Sequence, residues 1–442
     1  MISFKLVVAN LLASLGGLLL GYQTIVVSPA MIFVVLQFKL SRREQELIVS
    51  ITIGVAACAA IFAGILCDHI GRKVMIMFAS VLYIISSIVM AISPGMWWLL
   101  TGRSLLGLAI GMSSMATPIY ISEITPEKFR GNSVSLYNYF VIIGGFLANL
   151  FGYIFSLQPT NGWKYMFGVA AIPALIQFLG FIFLHETPRF LISKKKTDKA
   201  RKSLKSFRSR NHDIEKELDN IQYGPLSQFQ DIKSLIPRIF KSSNAKMAIF
   251  VGCTMQALQQ FVGINSIVYY STNLIKMAGI TDIQDAILIS TIISGIYLIF
   301  SIFGPLSTDW IGRRRLSIIS TLGLLISLVY ISGVFYYMDK VPETHYVYNS
   351  TDSDTCSKLN YSTCSNCIKN AACGYCYQET KNNSFCLVIE KYDPYISKEG
   401  KCNSSTDDYK FTAINCPSNL AIFILVGIGF YLVFFGIAES HH

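Results

Sequence analysis

Charged side chains are scarce in this sequence. Asp, Glu, Lys and Arg together make up 14% of the 442 residues, and hydrophobic residues make up 52%. Soluble globular domains usually carry about 25% charged residues. A chain with so little charge cannot cover an apolar interior with solvated side chains, so the composition excludes an ordinary soluble domain and predicts a polytopic membrane protein.

Acidic residues are scarcer than basic residues. The 26 Asp and Glu stand against 37 Lys and Arg, which gives a formal net charge of +11. An excess of this size also occurs in nucleic-acid-binding proteins. Here the basic residues lie in the loops between apolar runs, as membrane orientation requires. The expected partner is therefore a lipid bilayer, and nucleic acid is not expected.

Signatures of catalysis are missing as well. The polar middle of the chain has no phosphate-binding loop, nucleophile elbow or metal-ligand spacing, and no nucleophile–base pair stands out in the apolar runs. Neither an enzyme nor a cofactor or metal site is predicted. A cleavable signal peptide is not expected either, because the first apolar run is too long for one.

Ten apolar runs are present, each near the ~20 residues that cross a bilayer as a helix. They predict an all-α bundle, with six spans before a polar stretch and four after it. The runs are Leu6–Leu36, Leu47–Cys67, Val74–Ser93, Trp98–Ile119, Ser133–Leu157, Tyr165–Leu184, Met247–Tyr270, Ala286–Leu306, Leu316–Tyr337 and Leu420–Ala438.

The basic loops predict which side faces the cytosol. The loops at one end of the spans, and the stretch after the sixth, are rich in Lys and Arg, which marks the cytosolic side and places the N-terminus there. Only the loop with Lys39, Arg42 and Arg43 departs from this pattern. The predicted parts are a six-helix bundle (1–185), a cytosolic linker (186–244), the first three helices of a second bundle (245–337), an extracellular insert (338–419) and an incomplete tenth helix (420–442).

Amide side chains interrupt the seventh run. Gln256, Gln259, Gln260 and Asn265 lie beside Tyr269, and Gln256 and Gln260 share a helix face. Amides in a bilayer must turn toward protein, water or a polar ligand. Because amides donate and accept hydrogen bonds, a binding face for a polyhydroxyl solute is favoured. The alternative is that they join packed helices.

A short motif occurs twice, six spans apart. Asp68–Lys73 reads DHIGRK and Asp309–Arg314 reads DWIGRR. The repeat predicts two bundles related by an axis along the membrane normal. Each copy places an acid and two bases at a helix end, where they can pair across the cytosolic mouth of the protein when that mouth closes. The motif therefore favours a gate. The alternative is that its charges only set the membrane topology.

Seven motifs, spanning Gly16 to Arg315 in order, together resemble the sugar porter family of the major facilitator superfamily. They are GGLLLGYQT, DHIGRK, GRSLLG, PIYISEITPEKFRG, HETPRFL, QQFVGIN and DWIGRRR. The resemblance implies a major-facilitator bundle of twelve helices in two halves, of which about ten are present, and alternating access to a central site. Within that family, the chain most resembles the proton-coupled myo-inositol transporters.

The resemblance also implies roles for individual residues. Gln259, Gln260 and Asn265 are the expected substrate contacts, and Tyr269, Asn138, Gln23 and Tyr297 complete the predicted site. Arg103 lies inside an apolar run, where it needs a partner or a cavity unless it reaches the membrane surface. The expected gate residues are Asp68, Arg72, Arg103, Glu123, Arg130, Glu186, Arg189, Asp309, Arg313 and Arg314.

The insert between the ninth and tenth runs concentrates cysteines. Their even number on the predicted outer face favours four disulfides over zinc, and the segment resembles a plexin–semaphorin–integrin module that can bind an extracellular partner. The cysteines are Cys356, Cys364, Cys367, Cys373, Cys376, Cys386, Cys402 and Cys416. Glycosylation is predicted at Asn349, Asn360, Asn382 and Asn403.

Three features depart from the family pattern. Gln23 stands where proton-coupled members have Asp, and an amide cannot titrate. Tyr297 stands where a sugar-binding Asn is usual. The sequence ends at His442, before the remainder of the second half, so a truncated sequence, an isoform or a fragment is expected.

The predicted function is transport of myo-inositol or a similar polyol by alternating access, with proton coupling disfavoured by Gln23. The predicted location is the plasma membrane. A facilitative hexose transporter is one alternative. A non-transporting short form that acts through its Cys-rich ectodomain is another.

Overall fold

A computed structural model defines the fold. It describes residues 3–158, 161–208, 213–223, 243–277, 280, 282–340, 356, 364–369, 372–377, 384–390, 393–397, 402, 410–412 and 421–439. Nine helical stretches in this part of the chain are long and apolar enough to cross a membrane. A shorter apolar helix, Ile422–Ile437, corresponds to the tenth predicted run. The predicted polytopic helical fold is confirmed.

The first half of the chain is built from long helices with short connections. The helices are α1 (Phe4–Ile25), α2 (Val27–Phe38), α3 (Arg42–Ile70), α4 (Arg72–Ala91), α5 (Met96–Ile124), α6 (Arg130–Ser156), α7 (Gly162–Gly168) and α8 (Ala171–Phe183), with one 3-10 turn at Glu127–Phe129. Three short helices follow in the linker: α9 (Pro188–Ser193), α10 (Thr197–Phe207) and α11 (Ile214–Tyr223).

The second half continues with α12 (Ser243–Phe261), α13 (Ile264–Tyr269), α14 (Ser271–Met277), α15 (Ile283–Ile311) and α16 (Arg313–Lys340). The insert adds α17 (Cys364–Lys369) and strands β1 (Cys373–Tyr377), β2 (Ser384–Glu390), β3 (Asp393–Ser397) and β4 (Lys410–Thr412), and α18 (Ala421–Glu439) follows. The chain divides into two compact units: Met1–Val27, Glu46–Ala148 and Lys164–Tyr269 form the first, and Ser28–Gln45, Asn149–Trp163 and Tyr270–His442 form the second.

In the first unit α1 and α6 touch through their backbones. A Cβ atom at Gly21 would collide with the carbonyl of Val141, and one at Gly144 would collide with the carbonyl of Leu18. Small residues allow this approach in a membrane, where helix association depends on close packing. The contact fixes the segment of α1 that carries Gln23.

Buried hydrogen bonds also join helices of the first unit. Gln177 on α8 accepts from the Ser80 hydroxyl of α4 at 3.0 Å and donates to the Ala13 carbonyl of α1 at 3.3 Å. The Tyr22 hydroxyl donates to the carbonyl of Met166 at 2.7 Å. Polar atoms removed from water need such partners, so these bonds fix the register between spans.

In the second unit α18 packs on α15 and α16. The ring of Phe434 fills the space beside Gly323, and Gly436 lies against the ring of Tyr297. The Tyr297 and Phe435 ring centroids are 6.4 Å apart. The tenth apolar run is thus a packed helix of this unit.

The insert holds a four-stranded antiparallel sheet of order β3-β2-β1-β4. Tyr375 of β1 pairs with Cys386 of β2 on one side and with Thr412 of β4 on the other. Cysteines and tyrosines form its buried core. A segment too small for a large hydrophobic core is stabilised in this way by disulfides.

Candidate functional site

The seventh span is broken where its amides lie. Helix α12 ends at Phe261 and α13 begins at Ile264. Between them Gly263 has a φ of +87°, a left-handed conformation that favours glycine. Broken helices in transporters expose backbone and side-chain polar groups to a substrate near mid-membrane. The interruption is therefore the candidate position for a solute site.

Two of the predicted substrate contacts meet across this break. The Asn265 amide nitrogen donates to the Gln260 amide oxygen at 2.5 Å, and both side chains are exposed. Gln259 is half-buried and Gln256 is exposed on the same helix. The Gln260–Asn265 bond joins α12 and α13 within one span, so it does not hold two packed spans together. Each amide retains donors and acceptors that suit a hydroxyl-rich ligand.

Gln23 is enclosed inside the first unit. Its side chain is 0% exposed, and its amide nitrogen donates to the Ser87 hydroxyl at 2.7 Å. Among the described residues its amide oxygen has no hydrogen-bond partner. Burying an amide oxygen without a partner is costly, so this atom is an open acceptor in the interior of the bundle.

Arg103 is the charged neighbour of Gln23. It is 2% exposed, which excludes the alternative that it reaches the membrane surface. Its Nη1 donates to the backbone carbonyl of Gln23 at 3.2 Å and its Nε to that of Ile48 at 3.3 Å. Tyr269 is close enough to interact with it electrostatically. The ion pairs of the described chain do not include Arg103.

The other predicted contacts have different surroundings. Asn138 and Tyr269 are half-buried in the first unit. Tyr297 is half-buried in the second unit and packs on α18 through Phe435 and Gly436. Its ring therefore serves helix packing, which the sequence pattern did not indicate.

The first copy of the repeated motif forms an ion cluster. Arg72 Nη2 lies 2.9 Å from a carboxylate oxygen of Asp68 and 3.3 Å from one of Glu123. The motif thus ties the junction of α3 and α4 to the end of α5. Arg189 acts electrostatically on Glu123, whereas Arg130 donates to the Ser122 carbonyl at 3.0 Å.

Glu186 closes this cluster from the linker side. Its carboxylate accepts from the backbone N–H of Lys73 at 3.1 Å and of Thr187 at 2.9 Å. It fills the space beside Gly71, whose φ is +107°, so it caps the N-terminus of α4. Burial raises the pKa of Glu186, while the two N–H groups and Arg72 act in the opposite direction.

Not all predicted gate residues belong to the cluster. Arg103 lies near the opposite end of α5 from Glu123, about 30 Å away at 1.5 Å per residue. In the second copy Gly312 has a φ of +84° between α15 and α16, so the turn is repeated. The side chains of Asp309 and Arg313 lie outside the described residues, and Arg314 is exposed.

Two basic residues of this region were missed by sequence reasoning. The Lys73 ammonium donates to the carbonyls of Ile182 and Leu184 at the end of α8. Arg208 is buried, pairs twice with Glu217 at 2.6 and 2.8 Å, and donates to the Ile124 carbonyl at 2.6 Å. Bonds to backbone carbonyls leave no pattern in the sequence, and the separation of nine positions between Arg208 and Glu217 forms no motif that would have paired them.

Disulfides join the cysteines of the insert. Cys356 bonds to Cys373, Cys367 to Cys386 and Cys376 to Cys402, and Cys364 is also disulfide-bonded. In the portion of the chain that is described, no group of His, Cys, Asp or Glu is arranged to hold a metal. Outside the described residues lie Cys416 and the predicted glycosylation sites Asn349, Asn360, Asn382 and Asn403.

Comparison with known proteins yields one consistent group. The family model described as sugar (and other) transporter matches residues 9–349. The human proton myo-inositol cotransporter is 36% identical over 446 residues, which cover 98% of this chain and 68% of that protein. The probable inositol transporter 2 of Arabidopsis thaliana is 34% identical and covers 96% of this chain and 75% of that protein.

Solved structures agree on the fold. The xylose transporter XylE from E. coli, in a partially occluded inward-open conformation, matches with a TM-score of 0.68 over 99% of this chain and 83% of that chain, at 21% identity. The proton:xylose symporter XylE bound to 6-bromo-6-deoxy-D-glucose matches with a TM-score of 0.62 over 75% of each chain, at 26% identity.

Proposed function

Because this chain belongs to the sugar (and other) transporter family, we propose that it moves myo-inositol or a similar polyol across a membrane by alternating access. Transport of a sugar or polyol is the activity of the family, and its members are membrane transporters without enzymatic activity. The choice of myo-inositol within that class is supported by relatives in human and Arabidopsis thaliana that are named for inositol transport.

One observation carries the proposal: the Gln260–Asn265 amide pair at the break between α12 and α13. A cyclic polyol presents adjacent hydroxyls, each of which is both donor and acceptor. Two amides held side by side match such a pair of hydroxyls, and the bond between them holds their geometry before the solute arrives. Pre-organised polar groups reduce the entropy lost on binding.

The ion cluster around Arg72 supplies the second part of the mechanism. Arg72, Asp68 and Glu123 join the ends of three helices, and Glu186 attaches the linker to the same point. Interactions of this kind can form in one state of a transporter and break in the other, which biases a two-state equilibrium. We propose that this cluster is part of the gate.

Uptake of labelled myo-inositol into proteoliposomes tests the site. Replacing Gln260 with Ala removes both the hydroxyl-facing amide and the acceptor of Asn265. A lost hydrogen bond in a polar site costs about 1–3 kcal/mol, so we expect uptake at low substrate concentration to fall about 10- to 100-fold.

The matched control is Gln256→Ala, one turn away on the same helix and exposed as well. We expect its uptake to stay within about twofold of wild type, since the hydrogen bond of the amide pair joins Gln260 and Asn265 and does not involve Gln256. Equal uptake by wild type and Gln260→Ala would overturn the proposed role of the amide pair.

A facilitative hexose transporter is the second candidate. It is supported by the solved structure of a related symporter that holds a glucose derivative. Competition distinguishes the two: glucose in tenfold excess should leave myo-inositol uptake nearly unchanged if the polyol is the substrate. Strong inhibition by glucose, with weak inhibition by unlabelled myo-inositol, would favour the hexose.

The proposed orientation places the N-terminus and linker in the cytosol and the Cys-rich insert outside the cell. The basic linker supports this orientation through the positive-inside tendency, and the disulfides of the insert support an oxidising exterior. We propose residence in the plasma membrane and an extracellular partner for the insert. Cleavage of the insert by protease added to intact cells would test the orientation, and protection there would contradict it.

A further inference from the structure

Six exposed lysines gather at one end of the linker, at the end of α9 and along α10. This lysine patch consists of Lys194, Lys195, Lys196, Lys199, Lys202 and Lys205. The opposite face of α10 is buried: Ala200 and Leu204 pack with residues of α9 and α11, and Phe207 belongs to the core of the first unit. The lysines therefore form the outward face of a firmly docked helix.

Little negative charge offsets the patch. Asp198 is exposed on the same helix, and the nearby Glu215 pairs with Arg201 at 2.9 Å. None of the ion pairs found in the described residues involves a lysine of the patch. Like charges on one face repel one another, so a negatively charged partner would stabilise the arrangement.

Lys195 has a left-handed backbone conformation at the end of α9. Its φ is +59°, and the N–H groups of Lys195 and Lys196 donate to the carbonyls of Ile192 and Leu191. This is the Schellman ending of α9, in which the left-handed position is usually glycine. A non-glycine residue there is strained. Lys39, outside the patch, also has a positive φ of +51°. Glycine would make the same turn at Lys195 without strain, so a glycine substitution removes this charge and keeps the backbone.

One contact and two exposed rings place the patch at the linker-side ends of the spans. The Ser3 hydroxyl, just before the first span, lies 3.5 Å from the Ser206 carbonyl at the end of α10. Phe4 and Phe183, at the linker-side ends of the first and sixth spans, are 81% and 83% exposed. Exposed apolar rings at span ends favour contact with lipid over water. The lysines of α10 therefore lie at the end of the spans where lipid headgroups would be.

We propose that the lysine patch binds the headgroups of anionic lipids in the leaflet on the linker side of the membrane. A cluster of four to eight basic residues next to a span has the charge and position for this interaction. Binding would hold α10 against the membrane and, through Phe207 and Arg208, against the helix ends of the first unit. The assignment does not depend on which solute the protein carries.

Lipid binding by the whole chain, purified in neutral detergent, tests the proposal. Phosphatidylserine and phosphatidylcholine are titrated, and bound lipid is counted by native mass spectrometry at low and high salt. Each lysine near an anionic surface contributes about a fivefold change in affinity. The triple variant Lys199→Gln, Lys202→Gln, Lys205→Gln should therefore bind phosphatidylserine about 100-fold more weakly, with phosphatidylcholine binding unchanged.

Two single variants separate this effect from misfolding and from general loss of charge. Lys195→Gly keeps the turn and removes its strain, so phosphatidylserine affinity should fall about fivefold while the melting temperature does not fall. Lys216→Gln also removes an exposed lysine of the linker, but between Glu215 and Glu217, and should change the affinity less than twofold.

Three results would overturn the proposal. One is unchanged phosphatidylserine binding in the triple variant and in Lys195→Gly. Another is an equal loss of binding in Lys216→Gln. The third is displacement of the lipid by inorganic phosphate at constant ionic strength, which would identify a site for a free anion instead of a lipid surface.

Discussion

The surroundings of Gln23 set the chemistry available inside the first unit. The resemblance to the sugar porter family implies a carboxylate here in proton-coupled members, whereas this chain has an amide, and the structure adds that this amide is buried beside Arg103. The second fact was not predictable, because Arg103 bonds to a backbone carbonyl 80 residues away and carbonyls carry no sequence signal. At this position the protein has a fixed positive charge and a neighbour that cannot titrate.

Gln23 leads to a prediction about proton coupling. Because an amide cannot carry a proton between the two sides, we expect an inward pH gradient to change wild-type myo-inositol uptake by less than twofold. Gln23→Asp places a titratable carboxylate near Arg103 and should make uptake depend on the gradient, whereas the neutral control Gln23→Asn should not. The measurement is initial uptake with and without a protonophore.

One result would contradict the prediction that uptake does not depend on the pH gradient. Gradient-driven accumulation by the wild-type protein, abolished by the protonophore, would show that another group carries the proton. The prediction sets this chain apart from relatives whose names describe proton cotransport, so the experiment decides a specific difference within the family.

Elements were predictable wherever length, hydropathy or glycine determined them. The spans followed from apolar runs of sufficient length, whereas the seventh run was predicted as one continuous span and is broken at Gly263. The repeated motif gave the same turn twice, with positive φ at Gly71 and Gly312. The docking of the linker was not predictable, since the bonds from Arg208 to Ile124 and Glu217 join segments that no pattern relates.

Arg208 leads to a prediction about the linker. Arg208→Ala would remove the bonds from Arg208 to Glu217 and to the Ile124 carbonyl, at a cost of about 2–3 kcal/mol. We expect amide hydrogen exchange in α10 and α11 to accelerate more than tenfold, while exchange within α4 and α5 is unchanged.

Arg201→Ala is the control for Arg208→Ala. Its pair with Glu215 is exposed on both sides, and such surface pairs contribute about 0–1 kcal/mol. Exchange in the linker should then remain close to wild type. If the two variants behaved alike, the linker would be held by its apolar contacts alone and the role assigned to Arg208 would be wrong.

At the scale of the whole molecule, the fold and the class of function were predictable and most contacts were not. Apolar runs and seven ordered motifs were sufficient for the family, because a membrane permits few architectures. The pairing of Gln260 with Asn265 and the packing of Tyr297 on α18 depend on where helices break and meet. Those contacts belong to the tertiary structure, and they determine which of the predicted site residues can reach a solute.

The central claim is that this protein carries a polyol by alternating access, and counterflow tests it most directly. Proteoliposomes containing the chain are loaded with unlabelled myo-inositol and diluted into a trace of the labelled compound. A carrier whose site faces one side at a time exchanges the two, so label should accumulate transiently above its external concentration. Absence of this overshoot in loaded vesicles, with uptake no greater than in protein-free vesicles, would contradict the account.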